Sequence, residues 1–370
     1  MAARSFRPFV GKTVSRWEDL LALSALLAMA TLPFIEAVTR LFRLPGVPGS
    51  AMIVQHLTLW IGFLGAILAA RQNKLLALTR TVPSGGSEPQ GLKHWFSRTV
   101  ALTVTVMLAV ASFQLVRIEA ASPTDVLPGV PVWALQVIMP LGFLLIGVEI
   151  LKQSGKNPVL RAVMIAAVVV IGAIGLGESL RVPLILWLGI TGLGVSLVFG
   201  APIFVGLGGI AVLMFWYDAG PISAIPAEMY RIVVSPTLPT IPLFTLAGYV
   251  LAEGGASRRL MEVFRTWFGW IPGGTPVAVT FLCGFFTAIT GGSGVTILAL
   301  GGLLLPMLLR EGYSRKFSIG LITVSGSLGL LFPPSLPAII YGVTAGVAIN
   351  KLFLAGIIPG ILLVVLVASL

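Results

Sequence analysis

A single cysteine, Cys283, lies inside an apolar run, so neither a disulfide framework nor a thiolate metal site is available. Histidine is almost as scarce. His56 and His94 stand far apart, with no carboxylate motif beside either, and supply no metal centre; His56 reads as a packing or interfacial residue and His94 as a loop residue. The chain has no HExxH, no GxSxG and no aspartate pair within its apolar segments, which removes the nucleophile, base and ligand sets of an intramembrane enzyme. It also lacks GxxxxGK[ST], so it does not hydrolyse ATP, and an ion gradient is left as the energy source for any vectorial work. No cofactor is expected. Charge is sparse as well, at 10% of residues.

What remains is hydrophobic: 57% of the 370 residues are apolar and the mean hydropathy is +1.02, outside the range of a soluble globular protein. A bilayer core of about 30 Å takes roughly 20 apolar residues per helical span. Runs of that order recur at 20–39, 51–70, 99–118, 131–151, 160–179, 183–199, 202–217, 240–253, 315–346 and 352–370. They are continuous rather than alternating, so they read as helices and not as barrel strands. The expected fold is all-α: a polytopic membrane protein of about ten transmembrane helices, one re-entrant hairpin and one broken helix.

The net charge of +11 forms no basic face or aromatic-interleaved patch, which argues against nucleic acid. Lys and Arg instead flank the spans. With 275–309 entering and leaving on one side, most of them (Arg4, Arg7, Lys12 and Arg16, then Arg71 to Arg98, Lys152 to Arg161, Arg258 to Arg265 and Arg310 to Lys316) share the N-terminal side. Arg40, Arg43, Arg117, Arg181, Arg231 and Lys351 lie opposite, which predicts a cytoplasmic N-terminus. The N-terminal apolar run is too long for a cleaved signal and reads as a retained span.

Texture divides the chain into a four-helix scaffold over 1–158, a linker helix over 159–182 and a Gly- and Pro-rich module over 183–370. The Ser, Gly and Pro stretch 83–92 reads as a surface connection. In the third region Pro276 to Leu309 splits at Thr290-Gly291-Gly292-Ser293-Gly294 into two arms, each too short to span. A re-entrant hairpin (275–309) with its tip near mid-membrane fits that length and offers backbone N–H groups to an anion, with Ser293, Gly294 and Thr296 as substrate contacts. Carbonyls of Gly291 and Gly292, beside Thr290, face a cation in this reading. A small-residue packing site is the other reading. In 315–346, Leu331-Phe332-Pro333-Pro334-Ser335-Leu336-Pro337 forces the helix to unwind. Carbonyls at Leu331, Pro333 and Pro334 then suit Na⁺ and the Ser335 hydroxyl suits substrate, the other reading being a proline kink.

Among the remaining polar residues, Glu36 with Arg40 and Glu149 with Lys152 are spaced for pairing near an interface and read as structural. Arg117, Glu119 and Asp125 mark an outer loop that is either a docking surface or simply solvated. Ser257 to Trp270 reads as an amphipathic helix on the cytoplasmic surface.

Pro242-Leu-Phe-Thr-Leu-Ala-Gly248, Gly291-Gly-Ser-Gly294, Gly312-Tyr313, Pro333-Pro-Ser-Leu-Pro337, Ile340-Tyr-Gly342 and Lys351-Leu-Phe-Leu-Ala-Gly356 occur in order. The set resembles the large (DctM-like) membrane subunit of tripartite ATP-independent periplasmic (TRAP) transporters. Trp17-Glu18 and Gly65 to Arg71 more weakly resemble the small, DctQ-like subunit, with Leu75 where that pattern often has histidine. The resemblance implies a multi-pass permease of the bacterial inner membrane that imports small organic acids, C4-dicarboxylates or similar carboxylates, by Na⁺-coupled symport. It also implies a periplasmic substrate-binding protein as partner and an elevator movement against the small-subunit scaffold. A stand-alone anion transporter or channel is the competing reading. Only one tip and one break are present where the large subunit has two inverted repeats, so the chain is expected to hold the first half of a transport domain.

Overall fold

A computed structural model describes residues 17–79, 92–154, 158–175, 181–270 and 273–368. The basic N-terminal residues Arg4 to Arg16, most of the connection 83–92, Arg80, Lys156 and the end of the linker segment lie outside the described residues. Two compact units are present, one ending at Val234 and the other beginning at Ser235.

The first unit runs α1 (Trp17–Leu41), α2 (Ser50–Arg71), α3 (Leu92–Ala121), a small antiparallel ribbon of β1 (Asp125–Leu127) and β2 (Val130–Pro131), α4 (Val132–Gln136) and α5 (Ile138–Lys152). It continues with α6 (Pro158–Gly175), α7 (Pro183–Val198), α8 (Ile203–Tyr217) and α9 (Ala224–Val233). Its core lies between α2, α3 and α5, where Leu59, Phe63, Leu102, Leu108, Met139 and Phe143 are buried. Phe63 meets Phe143 edge to face at 5.1 Å, a packing that Gly142 permits because a Cβ there would lie 2.3 Å from the Phe63 ring. Four hydroxyls of α3 satisfy themselves: Thr99, Thr103, Thr105 and Ser112 each donate to the carbonyl four residues back. That is how a helix buries hydroxyls where no water reaches.

Helices α7 to α9 belong to this unit. Gly208 and Gly209 let α8 approach α3 at Leu108 and Val104, and the Ile203 N–H donates to the Leu76 carbonyl just after α2 at 2.8 Å. Helix α9, ten residues long, falls between the apolar runs read from the sequence. His94 lies in the first turn of α3 rather than in a loop, and its Nε2 accepts from Arg98 at 2.9 Å. Glu36 accepts from Arg40 and from Ser50 Oγ at 3.0 Å, which closes the α1–α2 connection, and Glu149 pairs with Lys152 at 2.7 Å. Both carboxylates are structural.

The second unit contains α10 (Thr240–Glu253), α11 (Ala256–Phe268), α12 (Gly274–Thr290), α13 (Ser293–Arg310), α14 (Arg315–Leu328), a 3₁₀ turn (Gly329–Leu331), α15 (Leu336–Ala345) and α16 (Ile349–Ala368). Val279, Leu282, Phe286, Leu300, Leu304 and Leu308 bring both arms α12 and α13 into one core with Ile322 of α14. The arms have 17 and 18 residues. At a rise of about 1.5 Å per residue each still falls short of a bilayer core of roughly 30 Å. Among the described residues five segments are long and apolar enough to cross a membrane, and the pair α14 and α15, bent by 42°, adds a sixth. The protein is an all-α, multi-pass membrane protein.

Candidate functional site

Two interruptions define the site, and the second unit brings them together. At the first, α12 ends on Gly291 in the left-handed region (φ 69°), and Gly292 is extended before α13 starts at Ser293. A Cβ on Gly291 would lie 2.0 Å from Leu336 Cγ, so the turn sits directly against the start of α15. At the second, Gly329 presses on α12: a Cβ there would lie 2.2 Å from the Gly284 carbonyl and 2.6 Å from the Ala288 nitrogen. Helix α10 closes on the same turn, since a Cβ on Gly248 would lie 2.3 Å from the Thr290 side chain. Small residues at these contacts let backbones touch, the usual device for helix packing in lipid.

Each sequence-derived candidate now has a place. Thr290 and Thr296 are buried, and Thr296 Oγ1 lies 2.9 Å from Thr290 Oγ1 and 2.8 Å from Thr287 Oγ1, which in turn lies 2.9 Å from the Gly326 carbonyl. A hydroxyl has one proton and a carbonyl only accepts. The arrangement that uses every proton once runs Thr290 to Thr296 to Thr287 to the Gly326 carbonyl. These hydroxyls are spent inside the protein and fasten α12, α13 and α14 at the turn. Ser293 and exposed Gly294 form the first turn of α13, where backbone N–H groups have no helical acceptor, and Ser293 Oγ makes no hydrogen bond among the described residues.

Ser335 is 2% exposed; it caps α15 by accepting from the Ala338 N–H at 3.2 Å and donates to the Leu330 carbonyl. The Leu331 carbonyl is packed against α16, 2.4 Å from where a Cβ on Gly356 would stand. Pro333 and Phe332 line an apolar groove of about 450 Å³ with Phe281, Phe285, Ile361 and Val364. Pro334 is joined to Pro333 by a cis peptide bond. The break therefore consists of a 3₁₀ turn, a bent, non-helical Phe332–Pro334 segment and a freshly capped helix.

Sequence reasoning missed Thr287, Gly326, Gly329 and Leu336, which make the contacts that hold the site. The signal present in sequence was Thr287 at i+3 spacing from Thr290, and glycine recurring in Gly326 to Gly329 ahead of the prolines. It also missed a polar pair in the first unit. His56 Nδ1 lies 2.8 Å from the Met52 carbonyl and so carries the ring proton, leaving Nε2 to accept from the Tyr230 hydroxyl at 2.7 Å. This bond ties α9 to α2. Burial first, and Glu119 second, push the Tyr230 hydroxyl up to about 12.

Residues 29–157 match the family described as tripartite ATP-independent periplasmic transporters, DctQ component, and residues 190–370 match the DctM component. An isethionate TRAP transporter permease protein DctMQ of Oleidesulfovibrio alaskensis is 37% identical over 142 residues, 38% of this chain and 22% of that protein. A C4-dicarboxylate TRAP transporter large permease protein of Vibrio cholerae is 30% identical over 152 residues, 41% of this chain and 34% of its own length. An ectoine TRAP transporter large permease protein of Halomonas elongata is 34% identical over 155 residues, 42% and 36% respectively. The matches thus span between about a fifth and a little over a third of these relatives' lengths. All three are permease components, not enzymes. The chain belongs to the tripartite ATP-independent periplasmic transporter family and carries DctQ and DctM components in one polypeptide.

Proposed function

We propose that this chain is the membrane permease part of a Na⁺-coupled importer of small organic acids that a periplasmic substrate-binding protein delivers. The observation that carries this reading is the meeting of the Gly291–Gly292 turn with the start of α15. It sets the N-termini of α13 and α15 close together, and helix N-termini favour an anionic group. Ser293 and the N–H groups of Ser293 and Gly294 meet the substrate carboxylate. Thr296 and Ser335, bonded within the protein, position that surface. The cation sits on carbonyls at the turn (Thr290, Gly291, Gly292) and the break (Leu331, Pro333, Pro334), with no acidic side chain needed at that depth.

The relatives' substrates, as their names give them, are C4-dicarboxylate, isethionate and ectoine. All are small solutes bearing an oxyanion, which supports recognition through backbone N–H groups rather than a substrate-specific side chain. The division after Val234, with α7 to α9 on the DctQ side, supports an elevator in which Ser235 onward moves and the rest stays fixed. The N-terminus is cytoplasmic and the membrane is the bacterial inner membrane in this reading.

The test is uptake of labelled dicarboxylates, sulfonates and ectoine into proteoliposomes that carry the full-length fused transporter, with and without the binding protein and an inward Na⁺ gradient. Uptake requiring both is the expected result. Uptake without the binding protein points to a stand-alone transporter, and uptake indifferent to Na⁺ removes the coupling assignment. Ser293→Ala is expected to abolish uptake while leaving membrane insertion intact.

A further inference from the structure

Helix α11 presents two different faces. Leu260, Met261, Phe264 and Phe268 pack on the core of the second unit, with Phe268 stacked on Phe281 at 5.0 Å. Val263, Trp267 and Trp270 point away from that core; Trp267 is 64% and Trp270 80% exposed. The Trp270 indole N–H donates to the Trp267 carbonyl at 2.7 Å, which fixes the ring at the helix end.

On the first turn of the same helix, more than two turns ahead of these indoles, stand Arg258 and Arg259, both exposed. Arg258 is 3.7 Å from Glu262 with both side chains well exposed, so this pair is weak, and Arg259 forms no ion pair among the described residues. Arg265 reaches Glu311 at 2.7 Å, which joins α11 to the α13–α14 connection, where Arg310, Arg315 and Lys316 are exposed. Glu262 and Glu311 leave most of this positive charge unmatched.

A water-facing helix gains nothing from two exposed indoles, and a helix in hydrocarbon does not carry exposed arginines. Exposed indole rings and an excess of exposed cations on one helix and the adjoining connection fit one level of a membrane, the headgroup region. We propose that this edge of the second unit binds anionic phospholipid, with Arg258 and Arg259 holding the phosphodiester and Trp267 and Trp270 inserted among the acyl-chain ends. The proposal requires membrane embedding only and stands apart from the transport reading.

The test is fluorescence quenching of the purified protein in nanodiscs by brominated phosphatidylglycerol and brominated phosphatidylcholine. The difference between wild type and Trp267→Phe/Trp270→Phe isolates these two rings. Phosphatidylglycerol is expected to half-saturate the quenching at the lower mole fraction. Arg258→Gln/Arg259→Gln raises that fraction roughly fivefold for each arginine removed, and Arg315→Gln/Lys316→Gln shifts it in the same direction. Equal quenching by the two lipids, a phosphatidylglycerol preference that survives both double variants, or displacement by inorganic phosphate at matched ionic strength would overturn the proposal.

Discussion

The two glycines of the α12–α13 turn carry different loads, and one pair of substitutions separates them. Gly291→Ala puts a side chain on a residue at φ 69° and drives its Cβ to within 2.0 Å of Leu336 Cγ and 2.3 Å of Cδ1. The left-handed backbone costs an alanine about 1–2 kcal/mol. Overpacking a buried contact costs about 1–3 kcal/mol more. The expected loss is therefore about 2–5 kcal/mol. Gly292 has φ −144° and its Cβ would meet nothing closer than Val295 Cγ2 at 3.5 Å, so Gly292→Ala should stay within about 0.5 kcal/mol of wild type. Leu336→Ala removes Cγ and Cδ1 and leaves only Cβ, at 3.0 Å, so combining it with Gly291→Ala should cost less than the sum of the singles by most of the overpacking share. Unfolding titrations in mixed micelles read all four proteins. Equal effects at Gly291 and Gly292, or strict additivity with Leu336→Ala, would refute the packing of the turn on α15.

Gly329→Ala has no comparable escape, because its Cβ would strike backbone atoms of Gly284 and Ala288; a loss of about 3 kcal/mol or more is expected in the same titration. Thr296→Val leaves the buried Thr290 hydroxyl without its partner and should cost about 1–3 kcal/mol, while Thr290→Val, which leaves Thr296 bonded to Thr287, should cost less. Tyr230→Phe orphans His56 Nε2 and should lower stability by about 1–3 kcal/mol at neutral pH. The pH dependence of that difference has a definite sign. Tyrosine in the unfolded chain titrates near about 10, and Tyr230 in the fold at about 12. Its contribution is intact below the first value and is lost as pH climbs through the second, so the gap between wild type and Tyr230→Phe should close over that window. A gap that is constant across it would remove Tyr230 from the α2–α9 contact.

The helices and both interruptions were legible because their causes are local. Three prolines among Pro333 to Pro337 cannot stay helical, and Gly291-Gly292 ends α12 in the turn geometry that glycine permits. The amphipathic reading of 257–270 held for the same reason, since α11 declares its two faces at helical spacing. Helix α9 did not show, because Pro221, Pro226 and the pair Glu228 and Arg231 look like a polar loop until the helix is seen packed on α3. The interruption at Val137 that divides α4 from α5 is likewise silent in a continuous apolar run. At the site, residue types were visible but orientation was not. Whether Thr296 faces a ligand or two other threonines depends on how α12, α13 and α14 pack, and that contact joins residues up to 39 positions apart. The His56–Tyr230 bond links residues 174 apart, and an imidazole inside an apolar span was the one hint that it needed a partner.

The way α7 to α9 seat on α3 also bears on why two membrane components can share one polypeptide. The DctQ-matching and DctM-matching segments adhere through side chains and backbone: Ile203 on Leu76, Tyr230 on His56, and Gly208 and Gly209 against Leu108 and Val104. None of these ties uses the covalent stretch from Pro158 to Val182. Peptide continuity then fixes the ratio of the two parts and raises their local concentration, without itself being the glue. A gene cut between the codons for Gly175 and Arg181 and expressed as two open reading frames should yield halves that copurify, much as separately encoded partners do.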